Sequence, residues 1–161
     1  MYYVIKFSNG YTENFCLWFS DKNGKDQFLT NDLGVICFSR YSELFYYITE
    51  NNLNIEQNQI NYDVSMAINW LAECSSNIDC EYFLTLWNIT TDLVYSIKRD
   101  FLGNSESKMT KSVYDKLYWG NNLPALKGNE DIYIPKWKSK ELHRLHLVIA
   151  DSVSIINDIF F

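Results

Sequence analysis

Histidine is nearly missing from this chain: His143 and His146 are the only two among 161 residues. Few side chains therefore titrate near neutral pH, and acid–base catalysis has little to draw on. Glycine is scarce as well. Its six positions (10, 24, 34, 103, 120 and 128) stand isolated, which excludes both a phosphate-cradling P-loop and a dinucleotide fingerprint. GxSxG, HExxH and EF-hand patterns do not occur either. The longest apolar runs, FCLWF at 15–19 and LHLVIA at 145–150, fall far short of the roughly 18 residues that span a bilayer. The opening MYYVIKFSNG lacks a charged region followed by an apolar core, so no secretory signal is expected and a cytosolic protein is.

Cysteine is too sparse for a disulfide scaffold, with Cys16, Cys37, Cys74 and Cys80 the complete set. Cys16 and Cys37 lie in apolar, strand-like runs, where a thiol behaves as a small hydrophobe. Cys74 and Cys80 are separated by SSNID, too wide for a redox pair and without the second pair of a zinc site. Reduced, buried thiols are expected, and no metal or cofactor is.

What is present is apolar and aromatic. Hydrophobic residues make up 47% of the chain and aromatic ones 17%, the composition of a packed domain and not of a disordered tail. At this length a single domain, 1–161, is the natural count. YYVIKFS (2–8), Asn9-Gly10 and YTENFCLWFS (11–20) read as a hairpin, with Phe15, Leu17 and Phe19 on one face. GVICFS (34–39) reads as a third strand, giving a three-stranded antiparallel meander with one face to be covered.

Helices supply the cover. Apolar residues recur at helical spacing over 40–52, 64–74, 80–98, 111–120 and 140–160, the last with Leu142, Leu145, Ile149, Val153, Ile156 and Phe160 in one stripe. Ala67, Ile68 and Leu71 share a face of the second helix. Asp63, Asp79 and Ser139 are the expected caps, and Gly120 the expected stop. Residues 52–62 are ambiguous, with Ile60 and Tyr62 suited to a short edge strand. Residues 121–137 read as irregular, with Pro124 and Pro135 blocking regular structure, and Glu130-Asp131 as a solvated pair. The fold class is α+β: a meander packed against about five helices.

His143 and His146 lie three apart on the last helix, the spacing of a two-histidine metal motif, but nothing in the sequence nominates a third ligand. A small enzyme or metal-binding protein built on this pair is one alternative. A domain that binds peptides along a sheet edge is another.

Charge is the feature that stands out. The net charge of −6 disfavours direct nucleic-acid binding, which draws on Lys and Arg. Residues 41–97 contain no Lys or Arg but eight acids: Glu43, Glu50, Glu56, Asp63, Glu73, Asp79, Glu81 and Asp92. On the helix over 80–98, Glu81, Asn88 and Asp92 oppose Phe83, Leu86, Trp87 and Val94. An acidic ridge is expected, with Glu43, Tyr46, Glu50, Glu73, Asp79, Glu81, Tyr82, Asn88, Asp92 and Tyr95 as its candidate contacts. Acids near helix N-termini also arise for helix stability alone. A surface of this sign fits a basic partner, and the fitting client is a nuclease with a cationic substrate groove.

The stretch INWLAECSSNIDCEYFLTLWNITTDLVYSI (68–97) and the Tyr118-Trp119-Gly120 end, with the chain's size, acidity and order of elements, resemble bacterial immunity proteins. The likeness is to the CdiI-type inhibitors of contact-dependent growth inhibition, which are paired with CdiA toxin tips. Its 17 asparagines fit the AT-rich islands where such genes often sit. The resemblance implies a non-enzymatic cytosolic inhibitor of one cognate toxin, commonly an RNase or tRNase.

Overall fold

The structure, a computed structural model, describes residues 1–73, 76–123 and 132–161. Strands β1 (Tyr2–Ser8) and β2 (Glu13–Ser20) pair antiparallel, from Tyr3 opposite Trp18 to Ser8 opposite Glu13. The Asn9 side chain sets the turn by accepting from the N–H groups of Tyr11 and Thr12, both at 3.0 Å. Gly10 supplies the positive φ (+87°) that this reversal needs.

Both strands are apolar on two faces, which marks them as central. Ile5, Phe7 and Cys16 enter the main hydrophobic cluster, while Val4, Phe15 and Leu17 enter a second one on the other side of the sheet. The expected meander changes in its third member. β3 (Asp26–Phe28) pairs with β2 beyond the turn at 21–25. The 34–39 run divides instead into β5 (Gly34–Val35), paired with β4 (Thr30–Asn31), and β6 (Cys37–Phe38), paired with β2. Strand β7 (Ile55–Asp63) then lies parallel to β1, so the order is β3–β2–β1–β7 in a mixed sheet. Ile55 at the start of β7 packs in the second cluster, and beyond it only one face is apolar, through Ile60 and Tyr62, while Gln57, Gln59 and Asn61 are exposed; this is the composition of an edge strand.

Two layers of helix cover the sheet, where one covered face was expected. Helix α1 (Tyr41–Glu50) lies on one side and inserts Leu44 fully buried among Val4, Phe15 and Leu17, a burial worth about 2 kcal/mol. Helices α2 (Ser65–Glu73), α3 (Cys80–Ile97), α4 (Lys108–Gly120) and α5 (Ser139–Phe160) share the main cluster with Ile5 and Phe7 on the other side. Helix α3 is the hub. Its Phe83, Leu86, Trp87, Thr90, Leu93 and Val94 are buried as the stripe predicts, and Leu84 and Ile89 are buried beside them. The C-terminal Phe160 stacks on Phe7 at 4.3 Å, closing α5 against the sheet.

Helix ends depart from expectation in two places. Helix α4 starts at Lys108, three residues early, because the Ser107 hydroxyl accepts from the Thr110 N–H at 3.1 Å. Helix α4 ends at Gly120 as expected, though without a positive φ there, and a Cβ on Gly120 would come 2.6 Å from Cys80 Sγ and 2.7 Å from Pro135 Cγ. Ser139 opens α5 without capping it. Glu141 does that work, accepting from the Lys138 N–H at 2.8 Å and from Lys116 Nζ at 2.6 Å. The Lys116 bond holds this nearly buried carboxyl below the usual range and joins α4 to α5. On α2 the inward residues are Ala67, Trp70 and the partly buried Leu71, and Ile68 is exposed.

Cys16, Cys37 and Cys80 are free thiols, and burial pushes all three above the ordinary thiol value, Cys37 to about 11. Cys74, Pro124, Gly128, Glu130 and Asp131 lie outside the described residues. Among those described, no helix is long and apolar enough to cross a membrane.

Candidate functional site

The expected acidic ridge does not form one surface. Glu43, Tyr46 and Glu50 sit on α1, and the sheet separates them from Asp79, Glu81, Tyr82, Asn88, Asp92 and Tyr95 around α3. The first three line a shallow cleft with Phe38 and Tyr47, where Glu43 is already engaged by Arg40. Glu73 is exposed at the end of α2.

Several ridge candidates already have partners within the protein. Asp92 is half-buried and accepts from the Trp18 indole N–H at 3.1 Å. Burial raises its pKa, and the indole bond opposes that shift. Helical phase alone placed Asp92 opposite the core; Trp18, reaching from β2, encloses it. Tyr95 is exposed but carries Lys25 over its ring, with Nζ 4.6 Å from the centroid. Asn88 accepts from the Tyr114 hydroxyl at 3.0 Å. Tyr82 is spent as a clamp: its hydroxyl donates to the Asp63 carbonyl at 2.7 Å and accepts from the Ala67 N–H at 3.1 Å.

What remains is a groove of about 410 Å³ where the C-terminal half of β7 meets the start of α3. Ile60, Tyr62, Met66, Tyr82 and Leu86 give it apolar walls, and Asp63, Asp79 and Glu81 bring three carboxylates to it. Local sequence explains their placement. Asp79 is the N-cap of α3, its side chain accepting from the Tyr82 N–H at 3.0 Å. Asp63 closes β7 and accepts from the Ser65 N–H at 2.9 Å at the entry to α2. Glu81, in the first turn of α3, is exposed. None of the three takes part in a salt bridge among the described residues. Burial pushes both tyrosine hydroxyls up to about 12, with neighbouring carboxylates adding to the shift, so both rings enter the groove neutral.

Sequence reading missed Ile60, Tyr62 and Met66 as site residues, and it counted Asp63 among the acids of the stretch and as a cap but not among the candidate contacts. The available signal was the β7 pattern itself, apolar on one face and Gln/Asn-rich on the other.

The histidine pair is not convergent with other ligands. His143 is exposed, while the His146 ring packs 5.6 Å from Trp70 with Nε2 3.4 Å from the Leu71 carbonyl. Among the described residues no three His, Cys, Asp or Glu side chains are grouped to hold a metal ion. The chain matches no protein-family model, no curated protein and no solved structure.

Proposed function

We propose that this chain is an immunity protein that binds and neutralises a basic toxin domain, a nuclease of the RNase or tRNase kind, in the cytosol of the cell that makes both. The observation that carries this reading is the groove between β7 and α3. Its Asp63, Asp79 and Glu81 have no cation paired with them among the described residues, and they lie in a 57-residue stretch without Lys or Arg. Carboxylates held at rigid element ends around an apolar floor suit a partner whose own site is lined with Lys and Arg. Charge steers the encounter and the apolar walls hold the complex. The resemblance to CdiI-type inhibitors points to the same class of partner. The interface is therefore narrower than the ridge, and the α1 acids stand outside it.

Association kinetics with the product of the neighbouring upstream reading frame test this. A chain carrying Asp63→Asn, Asp79→Asn and Glu81→Lys keeps both caps, since Asn retains the side-chain acceptor. It should associate about tenfold more slowly, with a flatter dependence on salt. Glu43→Lys with Glu50→Lys should leave the rate as it is. Equal rates for the groove variant and the parent would remove the groove from the interface.

A further inference from the structure

We infer that β7 receives an extended, basic segment of the partner as an added strand. The inference rests on the binding reading above and specifies how the groove is used.

The backbone supplies the first argument. Val64 N–H donates to the Ser8 carbonyl at 2.9 Å, toward β1. Strand geometry alternates, so the amides and carbonyls of Gln59, Asn61 and Asp63 turn away from β1. The Asp63 carbonyl agrees with this direction, because the Tyr82 hydroxyl reaches it from outside the sheet. Upstream of that clamp, β7 pairs with no strand but β1 among the described residues, and Gln59 and Asn61 are exposed. An edge of this length in a folded protein is ordinarily shortened, bulged, guarded by Lys or covered. Here β7 bulges only near its start, where the register to β1 shifts between Tyr2 and Val4, and it carries no Lys or Arg. The section from Gln59 to Asp63 keeps regular register and is open.

The groove supplies the second argument, because it adjoins this same section. A strand laid along Gln59–Asp63 would direct alternate side chains toward Ile60, Tyr62 and Met66. A lysine or arginine two positions along from such an apolar residue shares its face and would come to the carboxylates of Asp79 and Glu81. A second copy of this chain is the wrong occupant, since the segment 41–97 would bring acids against acids. The occupant the surface fits is a strand that carries apolar and cationic residues in turn along one face.

The test uses the full, isotope-labelled chain and three short blocked peptides: one with Val and Lys in turn along one face and Thr on the other, one with Glu in place of Lys, and the Val/Lys peptide with every second amide N-methylated. The Val/Lys peptide should bind, slow amide exchange at Gln59 and Asn61, and shift resonances at the start of α3. N-methylation, which removes the donors on one edge of the peptide, should weaken binding about tenfold or more. The Val/Glu peptide should not bind. Equal binding of the methylated peptide would overturn strand addition while leaving the acidic groove as the contact. Equal binding of the Glu peptide, or no binding by any of the three, would overturn the basic-strand inference while the association test above still decides the wider reading. Gln59 and Asn61 already protected in a dimer of the free chain would overturn it in favour of self-pairing.

Discussion

The hydroxyl of Tyr82, on α3, donates to the main-chain carbonyl of Asp63, the last residue of β7, at 2.7 Å. Through this bond the central helix and the edge strand are tied directly to each other. It fixes the angle between the groove's two walls. The same oxygen accepts from the Ala67 N–H of α2, so three elements converge on a single side chain.

Tyr82→Phe should therefore destabilise the fold by about 1–2 kcal/mol, the cost of leaving a carbonyl and an amide without their partner. Denaturant unfolding reads this directly. The pH profile adds a second signature. The folded pKa of Tyr82 is raised from 10.0 to about 12, so its contribution is complete below pH 10 and is lost as pH climbs toward 12. Tyr62 behaves in the same direction. The Tyr82→Phe variant should lose less stability than the parent across that window, keeping the shares that Tyr62, Tyr114 and the buried thiols supply.

Asp92 gives a prediction of opposite character. Burial raises its pKa above that of the unfolded chain, so ionising it opposes folding, and stability falls as pH rises through the folded value. Asp92→Asn keeps an acceptor for the Trp18 indole and removes the charge. The variant should be more stable than the parent at neutral pH, and the difference should close in acid, where Asp92 is protonated in both states. Denaturation midpoints measured over the acid range check this. Association with the basic partner should not change, since Asp92 faces β2 and not the groove.

Gly120→Ala tests why α4 carries a glycine. Alanine favours a helix by about 1 kcal/mol over glycine, and Gly120 needs no positive φ. Its added Cβ nevertheless meets Cys80 Sγ at 2.6 Å and Pro135 Cγ at 2.7 Å. Overpacking of this kind costs about 1–3 kcal/mol, so the net effect should be a lower thermal midpoint. A raised midpoint would show that the contact relaxes and that propensity decides.

These positions also show how far the sequence could be read. The stripe on α3 was legible because Phe83, Leu86, Trp87, Leu93 and Val94 recur at one helical period, and the period holds whatever packs on it. The fate of the opposite face was not legible. Helical phase puts Asp92 and Glu81 on one side, yet only Trp18 on β2, distant in sequence, decides that Asp92 is enclosed and Glu81 open. The position of β7 was hidden for a similar reason. Parallel pairing with β1 needs a connection running through five strands and α1, and no local signal records it. The N-cap at Asp79 and the end of α4 at Gly120 were legible because both are local signals; the close packing of Gly120 on Cys80 and Pro135 was not. The candidate site divides along the same line. Its acids were visible in the charge pattern, and its apolar walls became visible only when β7 met α3.

The most direct test of the central claim is growth of cells expressing the neighbouring upstream reading frame, with and without this chain. The account predicts arrest by the upstream product alone, rescue by the parent chain, and loss of rescue by the Asp63→Asn, Asp79→Asn, Glu81→Lys chain at equal abundance, while Glu43→Lys with Glu50→Lys still rescues. Arrest that the parent chain does not relieve, or an upstream product that does no harm, would contradict it.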